Sequence, residues 1–126
     1  MTFKILVVDD DPNLRVLLRQ MLALRGFEVA EAEDGQDALN IILEVKPDAV
    51  VLDVMMPIID GITVCKRLRS QPETAHLPII MLSGKTQQEA IDEGLQAGAN
   101  KYLCKPIPMA ELIEHVRDVL PQTAVP

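Results

Sequence analysis

Acidic side chains follow two short apolar runs in this sequence, and their types and spacing could form a cation site. The run Ile5–Val8 leads into Asp9–Asp11, and the run Ala49–Leu52 leads into Asp53. Short β-branched runs bounded by polar residues are typical of buried parallel strands. If the two strands lie side by side, their carboxyl ends share one edge and the carboxylates crowd together. Crowded carboxylates raise one another's pKa unless a cation lies among them.

Two further apolar runs bring a hydroxyl and an ammonium group to the same predicted edge. Ile79–Leu82 ends at Ser83, and Tyr102–Cys104 ends at Lys105. A parallel sheet binds its ligands beyond the carboxyl ends of its strands. Carboxylates, a hydroxyl and a lysine at one edge therefore indicate a site for a cation and a phosphoryl group.

These residues resemble the receiver domain of two-component response regulators, and in particular the chemotaxis type of receiver. The matching segments follow the family's order and spacing from residue 4 to about residue 120. They are Val7–Pro12, Leu52–Pro57 with Asp60 and Gly61, Met81–Gly84, and Gly98–Pro106. Because four motifs are in register over nearly the whole chain, the resemblance is specific.

The resemblance implies a phosphoacceptor and a metal site. Asp53 is expected to accept a phosphoryl group from a phosphohistidine of a partner kinase. The expected ligands of Mg²⁺, with Mn²⁺ as an alternative ion, are the carboxylates of Asp9, Asp10 and Asp53 and the backbone carbonyl of Met55. Mg²⁺ prefers oxygen ligands of this kind. Asp11 fits a helix N-cap and is left out of the metal site.

The resemblance also implies roles for residues near the last two strands. Ser83 is the expected switch hydroxyl, which moves to hydrogen-bond the phosphoryl group, and Tyr102 is the aromatic that rotates with it. Lys105 is expected to pair with Asp53 and later with a phosphoryl oxygen. In this family the peptide bond before Pro106 is cis.

Strand and helix patterns alternate five times along the chain, which predicts an α/β fold. Helix N-caps are predicted at Asp11, Asp34 and Asp60, and Thr86 opens a predicted capping box for the fourth helix. Strict alternation implies a doubly wound, five-stranded parallel sheet with helices on both faces, a flavodoxin-like (βα)5 fold. The strand order 2-1-3-4-5 is implied by the resemblance. The first helix has a predicted apolar face of Leu14, Leu17, Leu18, Met21 and Leu22.

The composition predicts one globular domain in the cytoplasm. The 126 residues, of which 48% are hydrophobic, suit a receiver domain over 1–120, with 121–126 as a tail or the start of a linker. A net charge of −7 and 2% aromatic residues argue against direct nucleic-acid binding. The two cysteines form no paired motif, no signal peptide opens the chain, and no apolar run approaches the ~20 residues of a membrane span.

The expected partners are a sensor histidine kinase or histidine phosphotransfer protein, and an output domain or downstream protein. The domain would not be an enzyme beyond its own phosphorylation and autodephosphorylation. The alternative is a metal-dependent phosphatase or phosphotransferase with an aspartyl intermediate. The haloacid-dehalogenase type would need an acid where Met55 stands. A flavodoxin-like electron carrier would need a hydroxyl-rich phosphate loop and flanking aromatics.

The sequence departs from the family pattern in three ways. The family often has two acids where Asn100 and Lys101 stand, and a hydroxyl cap where Pro108 stands. The fourth helix lacks the basic residues of regulators that dimerise through a shared charge pattern. A phosphorylation-dependent homodimer is therefore weakly supported.

Overall fold

Strands and helices alternate through the computed structural model, which describes residues 2–121. The strands are β1 (Lys4–Val8), β2 (Glu28–Ala32), β3 (Ala49–Asp53), β4 (Ile79–Ser83) and β5 (Lys101–Cys104). The helices are α1 (Pro12–Leu24), α2 (Gly35–Val45), α3 (Gly61–Arg69), α4 (Gln88–Gln96) and α5 (Met109–Val119). The strands form one parallel sheet in the order β2-β1-β3-β4-β5, which confirms the predicted fold and strand order.

The sheet separates two hydrophobic cores, because successive side chains of a strand point to opposite faces. Leu6, Val50 and Met81 pack on one face with residues of α2 and α3 and with Ala97 and Ala99, which follow α4. Ile5 and Val51 pack on the other face with residues of α1 and α5. The strands β3 and β4 are buried along their whole length, as expected for central strands covered on both faces.

Three of the predicted helix starts are confirmed. The side chains of Asp11, Asp34 and Asp60 accept hydrogen bonds from backbone N–H groups in the first turns of α1, α2 and α3. The capping box at Thr86 is wrong: α4 begins at Gln88, and its N-cap Gln87 makes no side-chain capping bond. Because the helix starts later than predicted, Thr86 lies one position before the cap.

Other predictions have mixed outcomes. In the predicted apolar face of α1, Leu18 and Leu22 are buried, whereas Leu17 is 43% exposed. Of the predicted tail at 121–126, only Pro121 falls within the described residues. Between residues 2 and 121, no helix combines the length and apolarity needed to cross a bilayer.

Candidate functional site

The register of the sheet brings the predicted site residues to one edge. Val8 lies beside Leu52 across β1 and β3, so Asp9 and Asp53 follow neighbouring strand positions. On the other side of β3, Asp53 pairs with Leu82, directly before Ser83. Each residue reaches the edge because its strand ends there.

Three carboxylates form a cluster that fits a small divalent cation. Asp9, Asp10 and Asp53 can each supply one oxygen such that the three atoms lie within 4.8 Å of one another. Asp9 and Asp53 are buried, at 2% and 6% exposure, whereas Asp10 is exposed. Hard oxygen donors around a partly open position suit Mg²⁺, which keeps several waters. The Met55 amide donates to Asp53 Oδ1 at 3.2 Å, so Met55 lies beside the cluster, and its carbonyl as a ligand stays a prediction.

Lys105 bridges two of the three carboxylates. Its Nζ lies 3.7 Å from Asp53 Oδ1 and 3.5 Å from Asp9 Oδ2. The contact with Asp9 was missed at the sequence level, although placing all the strand ends at one edge could have indicated it. The Lys105–Pro106 peptide bond is cis. The single ammonium group thus offsets part of the negative charge of the buried carboxylates.

The environment of Asp53 raises its pKa from 3.8 to about 6. Burial is the largest cause, followed by the negative charge of Asp9, while Lys105 and the Met55 amide act in the opposite direction. Asp10 adds a smaller upward contribution. Lys105 therefore does not fully compensate the cluster, and a further cation would be favourable there.

The loop after β3 is packed tightly behind Asp53 but is open toward solvent. Gly61 donates its N–H to the Val54 carbonyl at 2.9 Å, and a Cβ at Gly61 would collide with the Asp53 carbonyl oxygen. Further out in the loop, Met55 is 55% exposed and Ile58 is 98% exposed. Ile58 has a φ of 69°, which is strained for a β-branched residue. Gly61 thus lets α3 start directly against the end of β3.

Ser83 and Tyr102 are linked through one backbone residue. The Lys85 N–H donates to Ser83 Oγ at 3.1 Å, and the Tyr102 hydroxyl donates to the Lys85 carbonyl at 2.9 Å. Ser83 is fully buried, and among residues 2–121 no hydrogen bond joins its hydroxyl to Asp53. The predicted switch pair is therefore connected, but the Ser83 hydroxyl is not hydrogen-bonded to Asp53 in this conformation.

Gly94 provides the space that Tyr102 occupies. A Cβ at Gly94 would lie 2.7 Å from Tyr102 Cδ2 and 2.8 Å from Met81 Sδ. Glycine lowers helix stability, so the sequence alone would assign Gly94 only a destabilising effect on α4. Its packing role depends on β5 lying beneath α4, for which the local sequence carries no signal.

The two residues that replace the family's acids have structural partners. Asn100 Oδ1 accepts from the Ile79 N–H at 2.9 Å and from Arg69 Nη2 at 3.0 Å, which ties the start of β5 to β4. Lys101 Nζ lies 2.8 Å from His115 Nδ1 and 2.8 Å from Asp118 Oδ2. Its hydrogen bond lowers the pKa of Asp118. Lys101 therefore links β5 to α5 within one molecule.

Comparison with known proteins agrees with this geometry. The family profile of the response regulator receiver domain matches residues 5–117. The chain is 46% identical over 123 residues to the response regulator MprA of Mycolicibacterium vanbaalenii, covering 98% of this chain and 52% of that protein. It is 45% identical over 123 residues to MprA of Mycobacterium bovis, covering 98% and 53%. The chain thus spans about half the length of these curated relatives.

Solved structures give the same result. The chemotaxis protein CheY4 of Vibrio cholerae superposes with a TM-score of 0.90 at 33% identity, covering 95% of this chain and 100% of that one. The receiver domain of the Francisella response regulator 1452 gives 0.88 at 36% identity, covering 94% and 96%. Both similarities extend over the strands and helices that carry the cluster.

Proposed function

Because the chain belongs to the response regulator receiver domain family, we propose that Asp53 accepts a phosphoryl group in two-component signalling. The donor is a phosphohistidine of a sensor histidine kinase or of a histidine phosphotransfer protein. The observation that carries this proposal is the position of Asp53, a buried carboxylate beside two further carboxylates and a lysine. Its pKa of about 6 leaves it mostly ionised at neutral pH, as a nucleophile must be.

The two oxygens of Asp53 have different surroundings. Oδ1 accepts from the Met55 amide and lies near Lys105, whereas no hydrogen bond reaches Oδ2 from the described part of the chain. Oδ2 is therefore the oxygen that is free to attack phosphorus. An oxygen–phosphorus bond forms at Asp53, the phosphorus–nitrogen bond of the phosphohistidine breaks, and its electron pair returns to the imidazole.

The remaining charged groups prepare the site for a dianionic group. Asp9, Asp10 and Asp53, with the Met55 carbonyl, would hold Mg²⁺ or Mn²⁺. The bound ion supplies positive charge that neutralises the phosphoryl oxygens. Lys105 already lies within 4 Å of two carboxylates, so its ammonium can pair with a phosphoryl oxygen after a small movement. These groups catalyse only the domain's own phosphorylation and autodephosphorylation.

Ser83 connects phosphorylation of Asp53 to a change in the neighbouring surface. When its hydroxyl turns to the phosphoryl group, the Lys85 N–H loses its acceptor, and the Lys85 carbonyl that holds Tyr102 is disturbed. The face formed by α4, β5 and α5 then changes its partner, which is an output domain or a downstream protein in the cytoplasm. The domain itself does not bind nucleic acid, since its net charge is −7. A phosphorylation-dependent homodimer would use the same face.

The test is phosphorylation by a small phosphodonor, acetyl phosphate, in the presence of Mg²⁺. We expect intact-mass analysis to show one acid-labile phosphoryl group on the wild type and none on Asp53→Asn. The matched control is Asp60→Asn, in the same loop, because asparagine caps a helix as well as aspartate does. Full phosphorylation of Asp53→Asn, or peptide mapping that places the group elsewhere, would contradict the proposal.

A further inference from the structure

Arg15, near the start of α1, reaches back to the loop that carries the acidic pair. Its Nη1 donates to the backbone carbonyl of Asp9 at 2.7 Å, and its Nε donates to Glu31 Oε1 in β2 at 3.1 Å. The side chain is only 17% exposed. Hydrogen bonds from a charged donor are strong, and they are stronger where water is largely excluded. Arg15 therefore joins α1, β2 and the end of β1 at one point.

The carbonyl that Arg15 holds belongs to the peptide unit between Asp9 and Asp10. Because a peptide unit is planar, the direction of this carbonyl also fixes the direction of the bond from the Asp10 nitrogen to its Cα, the atom that carries the side chain. Asp9 is fixed in other ways as well, since its N–H donates to the Ala32 carbonyl at 3.2 Å and its Oδ1 accepts from the Asp11 N–H at 2.9 Å. The Asp10 carboxylate has no hydrogen bond to any described residue, so the backbone that carries it is the part of Asp10 that hydrogen bonds can restrain.

We propose that Arg15 is a positioning residue, which directs the Asp10 carboxylate into the cation site by holding the Asp9–Asp10 peptide. This inference rests on the proposed function, because it assumes that Asp10 is a ligand of Mg²⁺. Groups that orient metal ligands without touching the metal change metal affinity substantially. Arg15 has the required contact, although it lies five residues beyond Asp10 in the sequence.

The effect of Arg15 comes from geometry more than from charge. The Glu31 carboxylate already pairs with the guanidinium of Arg15, and it forms a second ion pair with Arg19, whose Nε lies 3.0 Å from Oε2. Only the planar fork of arginine can donate to Glu31 and to the Asp9 carbonyl at once; the ammonium of lysine keeps the charge but loses this arrangement. Arg19 provides a matched control, because it binds the same carboxylate and makes no contact with Asp9.

The experiment is a calorimetric titration of the whole chain with Mg²⁺, accompanied by thermal unfolding of each variant. We expect Arg15→Ala to weaken Mg²⁺ binding about tenfold, the lower end of the range for groups that orient metal ligands. Arg15→Lys should restore only a small part of the affinity. Arg19→Ala should stay within about twofold of the wild type, because exposed ion pairs contribute little. Wild-type affinity in Arg15→Ala, or an equal loss in Arg19→Ala, would overturn the inference.

A second measurement, made without metal, separates this inference from the proposed function. Hydrogen exchange at the hydrogen-bonded amides of Asp9 and Asp11 should be faster in Arg15→Ala and unchanged in Arg19→Ala. If the wild type and Asp10→Asn bind Mg²⁺ equally, the assignment of Asp10 to the metal site is wrong. The exchange rates then show separately whether Arg15 restrains the Asp9–Asp10 peptide. Unchanged exchange in Arg15→Ala overturns that role.

Discussion

At the carboxyl edge of the sheet, the residues on the β1–β3 side are restrained by more contacts than the residues on the β4–β5 side. On the β1–β3 side, Asp9 and Asp53 are almost fully buried, and one ammonium group, Lys105, lies within 4 Å of both. Backbone N–H groups donate to each of these carboxylates. These ion pairs and hydrogen bonds together restrain the two carboxylates and the ammonium group of Lys105.

On the β4–β5 side, the two predicted switch residues are both hydrogen-bonded to one exposed residue. Ser83 and Tyr102 both contact the backbone of Lys85, in the loop before α4. The only buried residue within α4 is Gly94, and the helix starts without a side-chain capping bond. Few buried contacts and exposed backbone are typical of segments that open at low free energy.

This contrast matches the two tasks of a receiver. Phosphoryl transfer needs groups that are already in place, because orienting them during the reaction would raise the barrier. Reporting the transfer needs a segment with two arrangements of similar free energy, which one new hydrogen bond can shift. Under the proposed function, these tasks would fall to neighbouring pairs of strands in one sheet.

The largest expected effect concerns the carboxylate cluster on the β1–β3 side, and it is a pH dependence of the free energy of unfolding. Because the pKa of Asp53 is about 6 in the folded protein and 3.8 as a free group, the folded state binds this proton more tightly. The free energy of unfolding of the metal-free protein should therefore fall as the pH rises from about 4 to about 6. Asp53→Asn removes this loss and should be more stable than the wild type near pH 7, by about 1 to 3 kcal/mol. Urea unfolding with a chelator measures both effects.

Asp60→Asn serves as the control, since Asp60 lies outside the cluster and should leave the pH dependence unchanged. Added Mg²⁺ should remove most of the advantage of Asp53→Asn, because the ion stabilises the ionised wild type. A metal-free Asp53→Asn protein that is less stable than the wild type near neutral pH would show that the cluster is not under repulsion.

Local patterns predicted much of this fold. Asp11, Asp34 and Asp60 each precede an amphipathic run, and each caps a helix, because capping depends on residues only two or three positions apart. The strand order came from the resemblance, since nothing in the alternation of strands and helices fixes it. Thr86 failed as a cap because the helix start moved by one position, and helix boundaries are the weakest part of such reasoning.

Contacts between distant segments were less accessible to prediction. That Lys105 would also meet Asp9 depends on β1 and β3 being neighbours, and the roles of Arg15 and Gly94 depend on the packing of α1 and α4 on the sheet. The sequence indicated which residues carry chemistry. It did not indicate which residues position those side chains. Within a helix pattern, an arginine such as Arg15 predicts only an exposed charge, and a glycine such as Gly94 predicts only lower helix stability.

The second test compares the helices on the two sides of the edge by hydrogen exchange. We expect amides of α4 to exchange at least about tenfold faster than those of α1, in residues 88–96 and 12–24 respectively. The physical reason is burial: α1 places Leu18 and Leu22 in the core, whereas α4 buries only Gly94. Mass spectrometry of peptic fragments measures the difference, and equal protection of the two helices would contradict the contrast.

The smallest expected effect comes from Gly94→Ala, which adds a methyl group beside the ring of Tyr102. In Gly94→Ala the new methyl group would lie 2.7 Å from Tyr102 Cδ2 and 2.8 Å from Met81 Sδ. Met81 is fully buried whereas Tyr102 is partly exposed, so we expect the tyrosine ring to shift toward solvent. Crowding costs about 1 to 3 kcal/mol, and the gain in helix propensity returns about 1 kcal/mol. We expect a net loss of about 1 kcal/mol in the free energy of unfolding.

The shift of the ring can be observed directly. The chain has one tyrosine and no tryptophan, so tyrosine emission reports Tyr102 alone. In Gly94→Ala the ring should lose its hydrogen bond to the Lys85 carbonyl, and the emission should change accordingly. Gln96→Ala, at an exposed position of the same helix, should change stability by less than about 0.5 kcal/mol and leave the emission unaltered. A Gly94→Ala protein that is more stable, with unchanged emission, would mean that helix propensity alone governs α4 and that Tyr102 does not depend on this glycine.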